Sequence, residues 1–225
     1  TWGWTQKDNL KVIPIGINKN ISKYKVNENN TKILFEIRVR SNYTGRLDSA
    51  TTKSRIKKYI IRCGNFFEKI KNTKLNSDLI VRMHPRTLGY EEKKIFKKFN
   101  NMINYCDPYV SIFDLKKKSK IVIHTSLSTG HLESFATNTP CLIFADPTYE
   151  EIFNKDQKKY FENLKVNKIL FNNPDELIAW IYKIEKNLLL WWHSDEIQKI
   201  IKDYTNSYAN LNLNYESELI KNVRI

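Results

Sequence analysis

The sequence predicts an α/β domain built on a doubly wound parallel sheet. Short apolar runs of strand length alternate with stretches of helical period, the signature of parallel strands joined by crossover helices. The 225 residues, 41% hydrophobic and 12% aromatic, suffice to bury one sizeable core. The segments that follow the apolar runs are polar or charged, as ligand-binding loops at the carboxyl ends of such strands are.

Residues 1–30 are polar and Asn-rich after Val12-Ile13-Pro14-Ile15 and read as a linker or N-terminal extension. With no initiator Met, and no basic-then-apolar leader in the first residues, the segment is expected to begin inside a longer protein. The first strand is expected over 33–39, then a polar loop through Ser41, Tyr43, Gly45 and Arg46, then a helix over 49–71. Residues 79–83 form the second strand, which ends at His84-Pro85, and a helix follows over 91–100. A weaker strand is placed near Tyr109-Val110-Ser111, with a short helix over 113–118. The run 121–124 is a buried strand that feeds a helix from about Ser128 to Asn138, and 141–144 is another, closed by Asp146-Pro147. Helices are expected over 149–163, 175–190 and 195–210. The domain therefore spans 31–190, with 191–225 a C-terminal crossing helix and tail.

Composition excludes several classes. No apolar run approaches the roughly 20 residues that span a bilayer. The three cysteines (Cys63, Cys106, Cys141) have no metal-ligand spacing and read as reduced, packed thiols of a cytoplasmic protein. There is no His-x-x-x-His, Cys-x-x-Cys, GxGxxG loop, Walker A motif or serine-hydrolase elbow, so no metal or dinucleotide cofactor is expected. The net charge of +14 invites a nucleic-acid or membrane reading. Basic residues are nevertheless spread along the chain, and the densest run, Lys116-Lys117-Lys118, falls at a helix end that suits cations. A generic basic surface is the simpler account; a surface attracting phosphates, of a sugar nucleotide or of lipid headgroups, is the other. Specific nucleic-acid binding is not expected without clustered basic and aromatic motifs.

Chemistry concentrates in two segments. Pro85 cannot extend the ladder, so it fixes the turn and aims His84, flanked by Arg86, at the sheet's top edge. Thr125, Ser126, Ser128 and Thr129 crowd a strand-to-helix junction, where unpaired amides and the dipole favour an anion. One helix cap needs one hydroxyl; four exceed that need. Glu133, in the next turn, is placed to hold a ribose hydroxyl pair. Arg40, Tyr43 and Arg46 surround the first loop and suit a diphosphate or an acidic sugar. The two segments are expected on adjacent loops of one sheet edge, as a phosphate-to-ribose track. Trp191-Trp192 reads as an anchor for the terminal helices rather than a binding element.

The run Lys120 to Pro140 with Cys141-Leu142-Ile143-Phe144 after it resembles a bacterial family of transferases from surface-carbohydrate loci. Its pattern, S-T-x-x-L-E-x-x-A-x-N-x-P before an apolar strand, is matched here by Ser128-Thr129 through Pro140. Trp2-Gly3-Trp4, the Tyr43/Arg46 loop and Trp191-Trp192 also fit, so the resemblance covers nearly the whole chain. That family is similar to GT-B glycosyltransferases, whose two Rossmann-like lobes face each other. His84-Pro85 and the Ser/Thr turn resemble the His-Pro and Ser-Ser/Thr motifs with which sialyltransferases and Kdo transferases hold the CMP phosphate. The resemblance implies a C-terminal, donor-binding lobe with crossing helices. It implies a metal-independent transfer from a nucleotide sugar, leaning to a CMP-activated acidic sugar, onto a surface glycan, with His84 stabilising the leaving phosphate. The acidic base would lie in an N-terminal lobe of the same protein, and the enzyme would work in the cytoplasm, with the inner face of the membrane as a peripheral contact. A UDP-sugar transferase, a GT-B-like epimerase and a non-catalytic nucleotide-sugar-binding domain are the alternatives.

Overall fold

The computed structural model describes residues 27, 29–38, 53–84, 94, 96–99, 101–147, 155–209, 217, 220 and 221. Five strands, β1 (Lys32–Glu36), β2 (Leu79–Arg82), β3 (Ser119–His124), β4 (Cys141–Phe144) and β5 (Leu170–Phe171), form one parallel sheet in the order β2-β1-β3-β4-β5. The helices are α1 (Lys53–Ile70), α2 (Lys74–Asp78), α3 (Ile112–Lys117), α4 (Thr129–Ala136), α5 (Lys155–Val166), α6 (Pro174–Ile184), α7 (Leu188–Trp192) and α8 (Asp195–Tyr208). The predicted doubly wound sheet is therefore present.

The strands show why. β3 and β4 are buried along nearly their whole length, as continuous apolar runs in a sheet covered on both faces must be. In β1 alternate residues point to opposite faces: Ile33 and Phe35 enter one core and Leu34 the other. The first core is filled by α1 and α6. Tyr59, Cys63, Phe66, Phe67 and Ile70 recur at helical spacing along α1, and Phe66 stacks on Phe35 with ring centroids 4.9 Å apart. The second core joins Val122 and Ile143 to Phe135 of α4, Trp192 of α7, and Ile197, Ile201 and Tyr204 of α8. Trp192 is fully buried, and its indole N–H donates to Asn138 Oδ1 at 2.9 Å, so it anchors the terminal helices as expected.

Three expectations need correction. Residues 109–111 are not a strand: Tyr109 is 81% exposed and its amide donates to Asp107 Oδ1, an Asx turn. The chain instead touches the sheet at Tyr105, in a single parallel bridge to Val81. The helix expected over 175–190 is two, broken at 185–187: Ile184 before the break and Leu188 after it both pack in the first core, and the chain reaches the second core at Trp192, one turn further on. β5, two residues long, has no counterpart in the expected elements, being too short to show a period.

Candidate functional site

The order β2-β1-β3 means that the chain steps one way from β1 to β2 and the other way from β3 to β4 and β5. Between β1 and β3 the crossovers part to opposite faces, which leaves a crevice at the carboxyl ends of those strands, where ligands of open α/β sheets bind. Every strand is parallel, so the residues after Glu36, Arg82, His124 and Phe144 share this edge.

A chain of hydrogen bonds closes the floor of the crevice. The Thr125 hydroxyl donates to Glu36 O at 2.7 Å, across the β1–β3 boundary. Its only proton is thereby used, so the Tyr59 hydroxyl donates to Thr125 Oγ1 at 2.8 Å, and Tyr59 in turn accepts from the Arg38 amide at 3.0 Å. One turn further along α1, Arg62 is buried with its Nη2 donating to Thr125 O at 3.1 Å and to Phe144 O at 3.4 Å. Its Nη1 lies 3.6 Å from Asp146 Oδ2, and the guanidinium sits over the Tyr59 and Phe144 rings. A single face of α1 thus grips the chain after β1, β3 and β4 together. The buried Arg62 escaped the sequence reading because it sits among apolar residues of a helix like any surface arginine.

The α4 end of the crevice is built around two histidines. His124 Nδ1 lies 2.8 Å from Glu36 Oε2, and His124 Nε2 pairs with Ser134 Oγ at 2.8 Å. Burial pushes the His124 pKa down, and the neighbouring Glu36 only partly opposes this, so the ring is neutral with its Nδ1 proton toward Glu36. Burial would raise the Glu36 carboxyl; His124, followed by the charges of Lys116 and Arg82, brings it down to about 2. Gly130 admits this carboxylate to the first turn of α4: a Cβ there would meet Glu36 Oε2 and His124 Nδ1 at 3.2 Å. The Ser128 amide donates to His131 Nδ1 at 2.9 Å, and burial lowers the His131 pKa to about 3. Nδ1 therefore carries no proton, and Nε2–H points to the Tyr204 hydroxyl at 3.3 Å.

Of the residues expected to hold a donor, Thr125 and Ser126 are buried and Thr125 is fully engaged in the crevice floor. Ser128 precedes α4 as its N-cap, half-buried with its hydroxyl turned back onto the His131 amide in a capping box, whereas Thr129 is exposed at the first position of the helix. Glu133 is only 14% exposed and its Oε2 lies 3.8 Å from Lys116 Nζ. Lys116 itself corrects the expectation of a solvated lysine run: it is 1% exposed, donates to Gly130 O at 3.1 Å, pairs with Glu133 and contributes to the lowering of Glu36. His84 is exposed just beyond β2. The loops after β2 and β3 are not adjacent as expected; β1 lies between them, so two strand spacings, roughly 10 Å, separate His84 from the Thr125 turn. Arg40, Tyr43, Arg46 and Arg86 lie outside the described residues.

At the same edge a pocket of about 210 Å³ opens beyond β4 and β5. Leu127, Ala145, Phe161, Leu170 and Phe171 form its apolar walls. Asp146, Lys165, Lys168, Asn172 and Glu176 supply its polar groups. A larger cavity of about 530 Å³, lined by Asn30, Lys120, Glu185 and His193 among others, opens at the opposite, amino edge. Among the described residues no helix is long and apolar enough to cross a membrane, and no cluster of His, Cys, Asp and Glu is arranged to hold a metal.

A family model described as LIC12162 family transferase matches residues 1–223. Comparison with curated proteins finds no match. Among solved structures, the chain is similar to the wall teichoic acid polymerase TagF, at 15% identity and a TM-score of 0.44 over 87% of this chain and 43% of that one. It is similar to the trehalose-6-phosphate synthase OtsA, at 13% identity and a TM-score of 0.45 over 87% and 44%. It is also similar to Anabaena HepE in complex with UDP and glucose, at 11% identity and a TM-score of 0.47 over 86% and 48%. The chain spans less than half the length of each of these structures.

Proposed function

Because the chain belongs to the LIC12162 family of transferases, we propose that it is the donor-binding part of a glycosyltransferase of the two-lobed GT-B kind. The donor is a nucleotide sugar, a CMP-activated acidic sugar before a UDP-linked one, and the acceptor is a surface glycan. The observation that supports this most is the crevice between β1 and β3, which opens beside the N-terminus of α4. Unpaired amides and the helix dipole there suit the phosphate of the donor. The Ser128 amide is taken by the His131 ring and the His131 amide by the Ser128 hydroxyl, so the amides of Thr129 and Gly130 and the exposed Thr129 hydroxyl are the donors left to a ligand. As the glycosidic bond breaks, negative charge grows on the leaving phosphate. Preorganised donors at this helix end would stabilise that charge, with His84 reaching in from the end of β2 as a further donor. Lys116 and Arg82 together oppose the charge of Glu36, which lessens the repulsion of a phosphate on the outer side of the turn. The residue that activates the acceptor, the inner membrane face as a place of work and a partner lobe all belong to this proposal for the longer protein.

A thermal-shift panel of CMP, CDP, UDP and GDP tests the reading. The expected result is the largest stabilisation by CMP, reduced in His84→Ala. Strongest stabilisation by UDP puts the UDP-sugar transferase or epimerase in its place. Unimpaired sugar transfer by the longer protein carrying His84→Ala would instead point to a non-catalytic binding domain.

A further inference from the structure

The pocket beyond β4 and β5 takes no part in the phosphate chemistry above, yet it adjoins it: Leu127, in the turn between β3 and α4, forms one of its walls. The apolar walls suit a flat heteroaromatic ring. One side chain among the lining residues is both charged and largely withdrawn from solvent. Asp146 is 14% exposed, and Arg62, itself only 9% exposed, lies 3.6 Å from its Oδ2 while holding the carbonyls of Thr125 and Phe144. The guanidinium fixes where this carboxylate stands and keeps it an acceptor. Lys168, left-handed at φ 58° in the Schellman cap that closes α5, and Lys165 add two cations to the lining.

We propose that this pocket receives the base of the bound nucleotide, and that Asp146, positioned by Arg62, selects a base bearing an amino group, cytosine or guanine, against uracil. The inference rests on the nucleotide-binding reading of the neighbouring helix end. A carboxylate can accept from an exocyclic amine. The carbonyl that uracil carries where cytosine has its amine would set two acceptors against each other with no proton between them. The lysines at the rim donate to the base's remaining carbonyl or to the phosphate.

Calorimetric titration of the chain with CMP, GMP and UMP, repeated for Asp146→Asn and Arg62→Met, tests this. The wild type is expected to bind CMP or GMP at least about tenfold more tightly than UMP, as for a lost hydrogen bond to a charged group. In Asp146→Asn that ratio falls toward one, because an amide can donate to the uracil carbonyl. In natively folded Arg62→Met the ratio narrows, because Asp146 loses the guanidinium that positions it, whereas general damage to the site would weaken all three nucleotides alike. Should Arg62→Met fail to fold, Asp146→Asn decides alone. Equal binding of UMP by the wild type, or an unchanged ratio in Asp146→Asn, overturns the assignment of Asp146 but leaves the nucleotide site standing. Binding of none of the three by natively folded protein overturns the nucleotide reading itself, and this inference with it.

Discussion

At the residue scale, the two buried histidines tie stability to pH in a direction that can be worked out. His131 ionises in the unfolded chain near its ordinary 6.5, and in the folded protein only near 3. Between these values the unfolded state binds the extra proton, so its contribution is complete above 6.5 and is lost as pH falls toward 3. His124 is shifted the same way. Glu36, lowered from 4.5 to about 2, adds stability that is present above 4.5 and disappears as pH drops toward 2. Acid should therefore weaken the fold well before carboxylates alone would, by up to about 1.4 kcal/mol per pH unit for each histidine. His131→Gln, which keeps an acceptor for the Ser128 amide, should make the slope between pH 6 and 4 shallower. Urea midpoints measured across that range check it; an unaltered slope would mean that His131 is not held neutral.

At the scale of elements, the end of α4 decides how the C-terminal helices dock. Asn138 takes φ 55°, its amide donates to Phe135 O, and the Thr139 amide donates to Ser134 O, the paired bonds of a Schellman cap. Asn tolerates this conformation, and its side chain also accepts from the Trp192 indole and from Gln198. Asn138→Ala should cost about 2–4 kcal/mol, combining left-handed strain with the lost bonds, and Asn138→Gly less, since glycine relieves the strain alone. Chemical denaturation gives the order; an alanine variant as stable as the glycine one would contradict it. This cap also shows what the sequence could and could not tell. Helix α4 and strand β4 were legible because their apolar periods are unbroken and Asn138 and Pro140 punctuate them. The break between α6 and α7 was not, because Ile184 and Leu188 on either side of it lie four residues apart and fill the same core, so the apolar period runs through it unbroken.

For the whole molecule, the parallel order gathers the ends of all five strands on one edge of the sheet, and the alternation of strands and helices was enough to foresee that arrangement. The residues on it were read less fully. His84 and the hydroxyl cluster stand out as polar residues in apolar company, but burial inverts some of their roles: Thr125 closes the crevice floor and Lys116 serves the interior. Glu36, Arg62 and Asp146 gave no local signal, since each looks like ordinary surface charge until the fold brings distant segments together. The sharpest question is thus whether a nucleotide sits at the carboxyl edge or in the larger cavity at the amino edge. Hydrogen–deuterium exchange with and without saturating CMP answers it directly. The account predicts added protection over 125–131 and 144–146, with none at Lys120 or 185–190. Protection confined to the amino edge would contradict it.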